Sequence, residues 1–370
     1  MTATRMTPSR RWCAVGLAAI LLVAAPVALR SLPAEEASAS PATLVDQARA
    51  GLDRPWSGVI ETEGTLQLPD ADEFSGLAAL LGERTRLRAW WRDGDHWRVD
   101  RLLATGETDL VREGGTTVEW SYERARATVS RDPDIRLPRT GDLLPPVLGE
   151  RLLRGVADED TTTLASRRIA GRSAAGLRVR PPSPLSSINR VDMWTDLGSG
   201  VPLLVEVYAD GSATPDFTSR FTEFSPAEPD AGTVSFSPTR DTEVEFDDVL
   251  DIADAANQYA PLRPPRSAAG LARSGASDGA VGVYGEGATQ LIAIPLRDRE
   301  AGAVRDQMAL TPGVKQDETR TVVTLGPLGL LLTGPEGDGG YLLAGTLTRD
   351  ALEQAAEDVL DGVRYIGEPR

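Results

Sequence analysis

Apolar and polar residues alternate with a period of two through much of the chain between Trp56 and Ser225. In residues 191–211, VDMWTDLGSGVPLLVEVYADG, Val191 and Met193 flank Asp192, and Val201, Leu203, Val205 and Val207 then share one face. Alternation of this kind marks half-buried strands. The intervening turn, residues 196–200, holds residues that tolerate positive φ and close a hairpin. The same pattern predicts strands at 57–68, 84–94, 95–103, 108–115, 116–124, 126–131, 161–171, 176–182 and 217–225. Short turns such as Asp93-Gly94 and Gly114-Gly115 join them. About ten antiparallel strands in succession twist and curl into a barrel, a half-barrel or a sandwich. The fold class is therefore α+β, mainly antiparallel β, and a curled sheet with one apolar face has a concave interior that something apolar must fill.

Helical spacing interrupts the alternation at a few places. Leu44, Val45, Ala48 and Leu52 predict a short amphipathic helix, and Phe74, Leu77, Ala78 and Leu81 another, inserted between the first two strands. Residues 148–153 predict a third within a proline-rich stretch. Residues 241–258, DTEVEFDDVLDIADAANQ, read as a connecting helix with acid at its start, which suits the helix dipole. Residues 261–279 are a Pro/Gly/Ser linker. A smaller αβ unit follows, with strands at 280–296, 320–326, 329–334 and 340–348. Thr348 then caps a last helix carrying Leu352, Ala355, Ala356, Val359 and Leu360 on one face. The expected organisation is a large domain over 42–240, a connecting helix and linker over 241–279, and a small domain over 280–366.

The N-terminus sets the compartment. Arg5, Arg10 and Arg11 precede an uncharged run at 12–29, so residues 1–30 read as a signal peptide or a signal anchor. Positive charge ahead of the run places the N-terminus in the cytoplasm and exports the rest. The tether at 31–41 contains Ala37-Ser38-Ala39, a small-residue cleavage site, so cleaved and anchored forms both fit. Cys13 lies at the start of the run, where a lipoprotein cysteine would follow it; it reads as a small apolar residue of that segment.

Composition narrows the function. The 370 residues are 41% hydrophobic and 25% charged, with a formal net charge of -16, which repels nucleic acid. One cysteine gives neither a disulfide framework nor a thiolate metal site. His96 is the single histidine, beside a turn on the strand face opposite Trp97 and Val99, and it reads as exposed or stacked rather than catalytic. Asp70-Ala71-Asp72 begins like a calcium loop and fails at Phe74. The acidic run from Glu245 reads as a solvated face, and the glycines at 275, 279, 282, 285 and 287 as linker and turn residues, since no Gly-Lys-Ser/Thr accompanies them. No enzymatic centre, metal site or cofactor is expected.

The apolar positions carry the signal. Leu87, Ala89 and Trp91 share one strand face, Trp97 and Val99 another, and Val118, Trp120 and Tyr122 a third. They read as ordinary core or as the wall of a partly unfilled hollow. An acyl chain in such a hollow leaves water at ~0.8 kcal/mol per methylene, ample for tight binding after ordering costs. The helix carrying Phe74, Leu77 and Leu81 is the candidate lid.

In order along the chain, Trp56-Ser57-Gly58-Val59, Arg98 in WRVDRLL, Gly106-Glu107-Thr108, the pair Trp120 and Tyr122, the 191–211 hairpin, and Phe221 and Phe224 resemble the LolA/RseB (MucB)-like family of exported bacterial proteins. The resemblance spans 42–238, and the small unit, with YGEGATQLIAIPL, GYLLAGTLT and a final helix, is similar to the RseB-type second domain. It implies an unclosed β-barrel capped by short helices, with an apolar cavity for the acyl chain of a lipid or lipoprotein. Its wall would hold Phe74, Leu77, Leu81, Leu87, Trp91, Trp97, Val99, Trp120, Tyr122, Met193, Leu203 and Val205. For RseB-like members it further implies a small domain that contacts an anti-sigma factor or other membrane partner. The expected function is a non-enzymatic regulator of that type, with a LolA-like lipid or lipoprotein carrier as the alternative. A retained anchor would favour the regulator and cleavage the carrier.

Overall fold

The computed structural model describes residues 33–66, 75–133, 135–246, 252–275, 279–335 and 337–367. The apolar run at 12–29 lies outside them, so the signal or anchor reading does too; among the described residues no helix is long and apolar enough to cross a membrane.

The chain enters through α1 (Pro41–Arg49), whose N-cap Ser40 accepts a hydrogen bond from the Thr43 backbone N–H, with Pro41 at the first turn where no N–H is needed. There follow β1 (Trp56–Gly64), α2 (Ser75–Gly82), β2 (Arg84–Asp93), β3 (His96–Leu103), β4 (Gly106–Glu113), β5 (Thr116–Ser121) and β6 (Arg126–Ser130). Then come α3 (Pro145–Leu152), β7 (Thr161–Ile169), β8 (Arg172–Val179), β9 (Ile188–Asp196), β10 (Pro202–Ala209), β11 (Phe217–Ser225) and β12 (Glu243–Phe246). These twelve strands form one sheet in the order β12-β6-β5-β4-β3-β2-β1-β11-β10-β9-β8-β7. Its two edges, β12 and β7, are different strands that do not pair, so of the barrel, half-barrel or sandwich the alternation allowed, the curled sheet is an unclosed barrel, as the resemblance led us to expect. The order has a simple origin: β1 pairs with both β2 and β11, so two meanders run outward from it. A bulge between Val59 and Ile60 bends β1 there. Gly58 permits it, since a Cβ at that position would sit 2.2 Å from the Glu223 carbonyl oxygen.

Residues 241–258 depart from the expected continuous helix. Glu243–Phe246 is instead the edge strand β12, paired in parallel with β6, and the helix that follows, α4 (Ile252–Tyr259), is short. Val244 and Phe246 alternating with Glu243 and Glu245 is strand periodicity, and the density of carboxylates hid it.

The 261–279 stretch forms three two-residue strands, β13 (Leu262–Arg263), β14 (Ser267–Ala268) and β15 (Leu271–Ala272). The expected single strand at 280–296 is a hairpin, β16 (Gly282–Glu286) and β17 (Thr289–Leu296). After it comes a helix the periodicity did not reveal, α5 (Asp298–Ala309), then β18 (Lys315–Gln316), β19 (Arg320–Leu325), β20 (Leu328–Thr333), β21 (Gly340–Gly345), α6 (Arg349–Gly362) and β22 (Arg364–Tyr365). Six of these strands form a second antiparallel sheet, ordered β16-β17-β21-β20-β19-β18. α6, capped by Thr348 as expected, covers one face through Leu352, Ala355 and Val359. α5 and α4 cover the other face through Met308, Ala253 and Ala256.

Candidate functional site: the barrel concavity and the helix beside it

Register decides which side chains face the concavity. Ile60 pairs with Leu87, Ala89 with Val99, Trp91 with Trp97, and Val205 with both Met193 and Ser219. Directly opposed residues share a face, so Leu87, Trp91, Trp97, Val99, Met193 and Val205 all line the inner surface. Trp91 stacks between Trp56 and Trp97, each pair 5.8 Å apart with planes 4° from parallel, and its indole N–H donates to the Leu52 carbonyl at 2.9 Å.

Helices fill the hollow over these residues. Leu44, Val45 and Ala48 of α1 and Leu152 of α3 share a core with Leu177, Met193, Val205 and Phe217. Leu144, just ahead of α3, packs with Leu87, Trp91, Val99 and Leu203. Gly149 lets α3 lie close to the sheet: a Cβ there would be 2.9 Å from the Met193 methyl. Leu87, Val99, Met193, Leu203 and Val205 are fully buried and Trp91 nearly so. In this state these residues contact protein, and an acyl chain would have to displace a helix to reach them.

The segment expected as a lid is α2. Phe74 lies outside the described residues, as does the Leu77 side chain. Leu80 is buried in the barrel core beside Phe217 and Val207. Leu81 also touches that core, but it packs in addition with Leu66 against Met308 of α5 and with Val323, Leu325 and Leu332 of the second sheet. Backbone contacts fasten the helix end to the strand end: the Leu66 N–H donates to the Leu81 carbonyl at 3.3 Å, and the Gly64 N–H to Glu83 at 3.4 Å. Two glycines allow this approach. A Cβ on Gly64 would fall 1.9 Å from the Leu81 oxygen, and one on Gly82 2.3 Å from the Leu66 oxygen. α2 therefore belongs to two cores, one beneath each sheet.

Trp120 and Tyr122 lie elsewhere. Trp120 opposes Asp109 and Ala127, and Val118 opposes Val111 and Val129. That set faces the outer side of the sheet, where Phe236 covers it, with Trp120 5.3 Å from Tyr122 and 6.2 Å from Phe236. Tyr122 is 65% exposed. The alternation in this strand was legible; which face turns inward was not.

The outer face is otherwise laced with ion pairs. Arg178 holds Asp192 through two 2.7 Å hydrogen bonds, and Arg172 holds Asp196 likewise at 3.0 and 2.9 Å. The carboxylates of Asp100, Glu107 and Asp109 approach within 4.8 Å of one another, close enough to share a cation. Arg98 already donates to Asp100 and Asp109 at 2.6 Å, and Arg88 to Asp100 at 3.1 Å and Glu107 at 2.7 Å, so two guanidinium groups already bridge the three carboxylates. Burial, with Asp100 alongside, pushes the Asp109 carboxyl up to about 8. His96 is half-exposed and bonds Asp93 at 2.9 Å, which ties the β2–β3 turn and fits the reading of a surface histidine.

No protein-family model and no curated protein matches the chain in sequence. Solved structures do match in fold. MucB of Pseudomonas aeruginosa, in a complex with MucA, aligns over 88% of this chain and 99% of its own at 15% identity, with a TM-score of 0.50. A second structure, MucB with MucA(peri), aligns over 89% and 100% at 16% identity and a TM-score of 0.48. A LolA superfamily protein of Nitrosomonas europaea aligns over 54% of this chain and 99% of its own, at 11% identity and a TM-score of 0.25. The chain thus shares the MucB fold over most of its length.

Proposed function

We propose that this is an exported, non-enzymatic binding and regulatory protein whose large domain takes an acyl chain and whose small domain reports it to a membrane partner. One observation carries the reading: α2 closes the barrel core through Leu80, while Leu81 packs against both that core and the one beneath the second sheet. A ligand that enters the barrel by displacing α2 necessarily strips an apolar contact from the second sheet. A ligand shifts a conformational equilibrium only through differential contacts with the two states, and this shared helix supplies them. MucB forms a complex with MucA; by likeness of fold, we assign this chain a protein partner at the membrane, of the anti-sigma-factor kind implied by the RseB resemblance.

The test is lipid analysis of the purified protein by solvent extraction and native mass spectrometry, followed by hydrogen exchange with and without a palmitoyl lysophospholipid. The expected result is a stoichiometric acyl ligand whose binding speeds exchange in both α2 and α5. A protein that carries no lipid and binds none overturns the acyl half. Pull-down from membranes tests the partner half on its own.

A further inference from the structure

A cleft of about 440 Å³ opens beside Trp97, at the rim of the concavity. Its lining includes Arg112 of β4, Arg136 and Asp132 of the segment after β6, Asp142, and Arg151 of α3. Arg136 forks onto Asp142 at 2.7 and 3.3 Å, Arg151 reaches the same carboxylate at 3.1 Å, and the Arg139 backbone N–H donates to it at 2.7 Å. Asp132 accepts from the Arg139 guanidinium at 2.8 Å and lies 3.4 Å from Arg112 and 3.5 Å from Arg136. The guanidinium groups hold the Asp142 carboxyl below its ordinary value although burial opposes this. Among the described residues four arginines thus share two aspartates, three of the arginines lining the cleft, a local excess of positive charge in a chain whose net charge is -16. Two arginines would have sufficed to neutralise the pair. Concentrating like charge at a concave, partly desolvated site is unfavourable unless an anion occupies it.

We infer that this cleft binds a phosphate monoester. A phosphate monoester brings about −1.5 to −2 charges at pH 7 and three strong acceptor oxygens, more of both than a carboxylate, and so gains most from several guanidinium groups in one cleft. Planar guanidinium forks suit its oxygens, and Arg112 of β4, Arg136 and Arg151 of α3 all line the cleft. Trp97, Pro133 and Pro138 supply an apolar shelf for the group that bears the phosphate. The volume holds a phosphate with one attached ring. Gly141 keeps the Trp97 wall in place, since a Cβ there would sit 3.0 Å from the indole edge. The inference goes beyond the acyl-chain reading and does not depend on it.

The experiment measures binding of inorganic phosphate to the purified full chain by calorimetry, and of vesicles made with phosphatidic acid or with phosphatidylcholine alone by flotation. Two variants accompany it. Arg151→Gln removes the most exposed of the four cations and a single hydrogen bond, while Arg112→Lys keeps the charge and removes the fork. Each is expected to weaken phosphate binding roughly tenfold, with the melting temperature unchanged for Arg151→Gln. Binding of phosphate without vesicles supports the site with a soluble ligand. Capture of phosphatidic acid vesicles, competed by phosphate and lost in the variants, supports it with a lipid headgroup. Absence of both, or binding that neither variant weakens, overturns the inference. So does binding of an acidic glutamate peptide that phosphate fails to displace, which would mark the cleft as a peptide site.

Discussion

At the scale of single residues, two buried polar groups give measurable signatures. Asp109 holds its proton well above the ordinary carboxyl value of 3.8, because burial and Asp100 disfavour its charge. The native state then binds more protons than the unfolded chain between pH ~4 and ~8, so this group's contribution falls as pH rises through that window and levels off above it. Asp109→Asn keeps an amide donor for Asp100 and an oxygen for Arg98 without a titrating proton. We expect the melting temperatures of variant and parent to converge near pH 4 and the variant to lead at pH 9; a constant difference across that range would exclude the elevated carboxyl. Tyr341 is the second case. Its hydroxyl is buried with no hydrogen-bond partner among the described residues, and burial pushes the phenol up to about 12. Tyr341→Phe should stabilise the fold by about 1 kcal/mol. Tyr284→Phe should cost about as much, because the Tyr284 hydroxyl donates to the Pro265 carbonyl at 3.2 Å. Denaturant titration of the pair reads both signs.

At the scale of elements, the strands of the large domain were legible because one face of each is apolar and the turns carry Gly and Asp. The inward set Leu87, Ala89 and Trp91 and the hairpin at 191–211 needed nothing more than period two. The sign of the face was not legible for β5: Val118 and Trp120 turn outward because Phe236, more than a hundred residues away, covers them there. A local pattern holds no information about so distant a cover. α5 was missed for a related reason. Its buried positions are Ala301, Arg305 and Met308, a weak stripe interrupted by an arginine whose Nη2 donates to the Gly334 carbonyl at 3.0 Å. The arginine cleft was missed because its parts lie on β4, the 132–142 segment and α3, which only the fold brings together. The coupling of α2 to both cores is set by Gly64, and this gives an element-scale prediction. Gly64→Ala places a methyl within 1.9 Å of the Leu81 oxygen, so the helix must lift from β1. The expected cost is about 1–3 kcal/mol, with faster hydrogen exchange at 78–82 and in α5. Protection lost in α2 alone would show that the helix does not transmit to the small domain.

At the scale of the molecule, the two large sheets do not own separate cores. A chain of this length ordinarily divides into domains with independent hydrophobic centres. Here Leu185 joins the core under α6, Leu66 and Leu81 join the one under α5, Ile135 joins the one under α4, and Ala288 of the small unit enters the barrel core. Main-chain bonds stitch the same seam: the Ser187 N–H donates to Thr346 at 3.1 Å, the Thr348 N–H to Leu185 at 2.7 Å, and the Ser187 hydroxyl to the Pro327 carbonyl. Shared burial makes unfolding of one unit expose apolar surface of the other, so calorimetry should record one cooperative transition for the described fold. Gly287 is the place to break that coupling. It has φ +61, and a Cβ would lie 2.3 Å from the Arg154 carbonyl oxygen across the seam. Gly287→Ala adds left-handed strain of roughly 1–2 kcal/mol to a steric clash that only separation of the domains relieves. The variant should melt lower and in two resolved steps, the signature of domains that have come apart while each remains folded. Two steps in the parent protein would mean instead that the shared leucines do not couple the domains, and the route from barrel to partner through α2 would lose its physical basis.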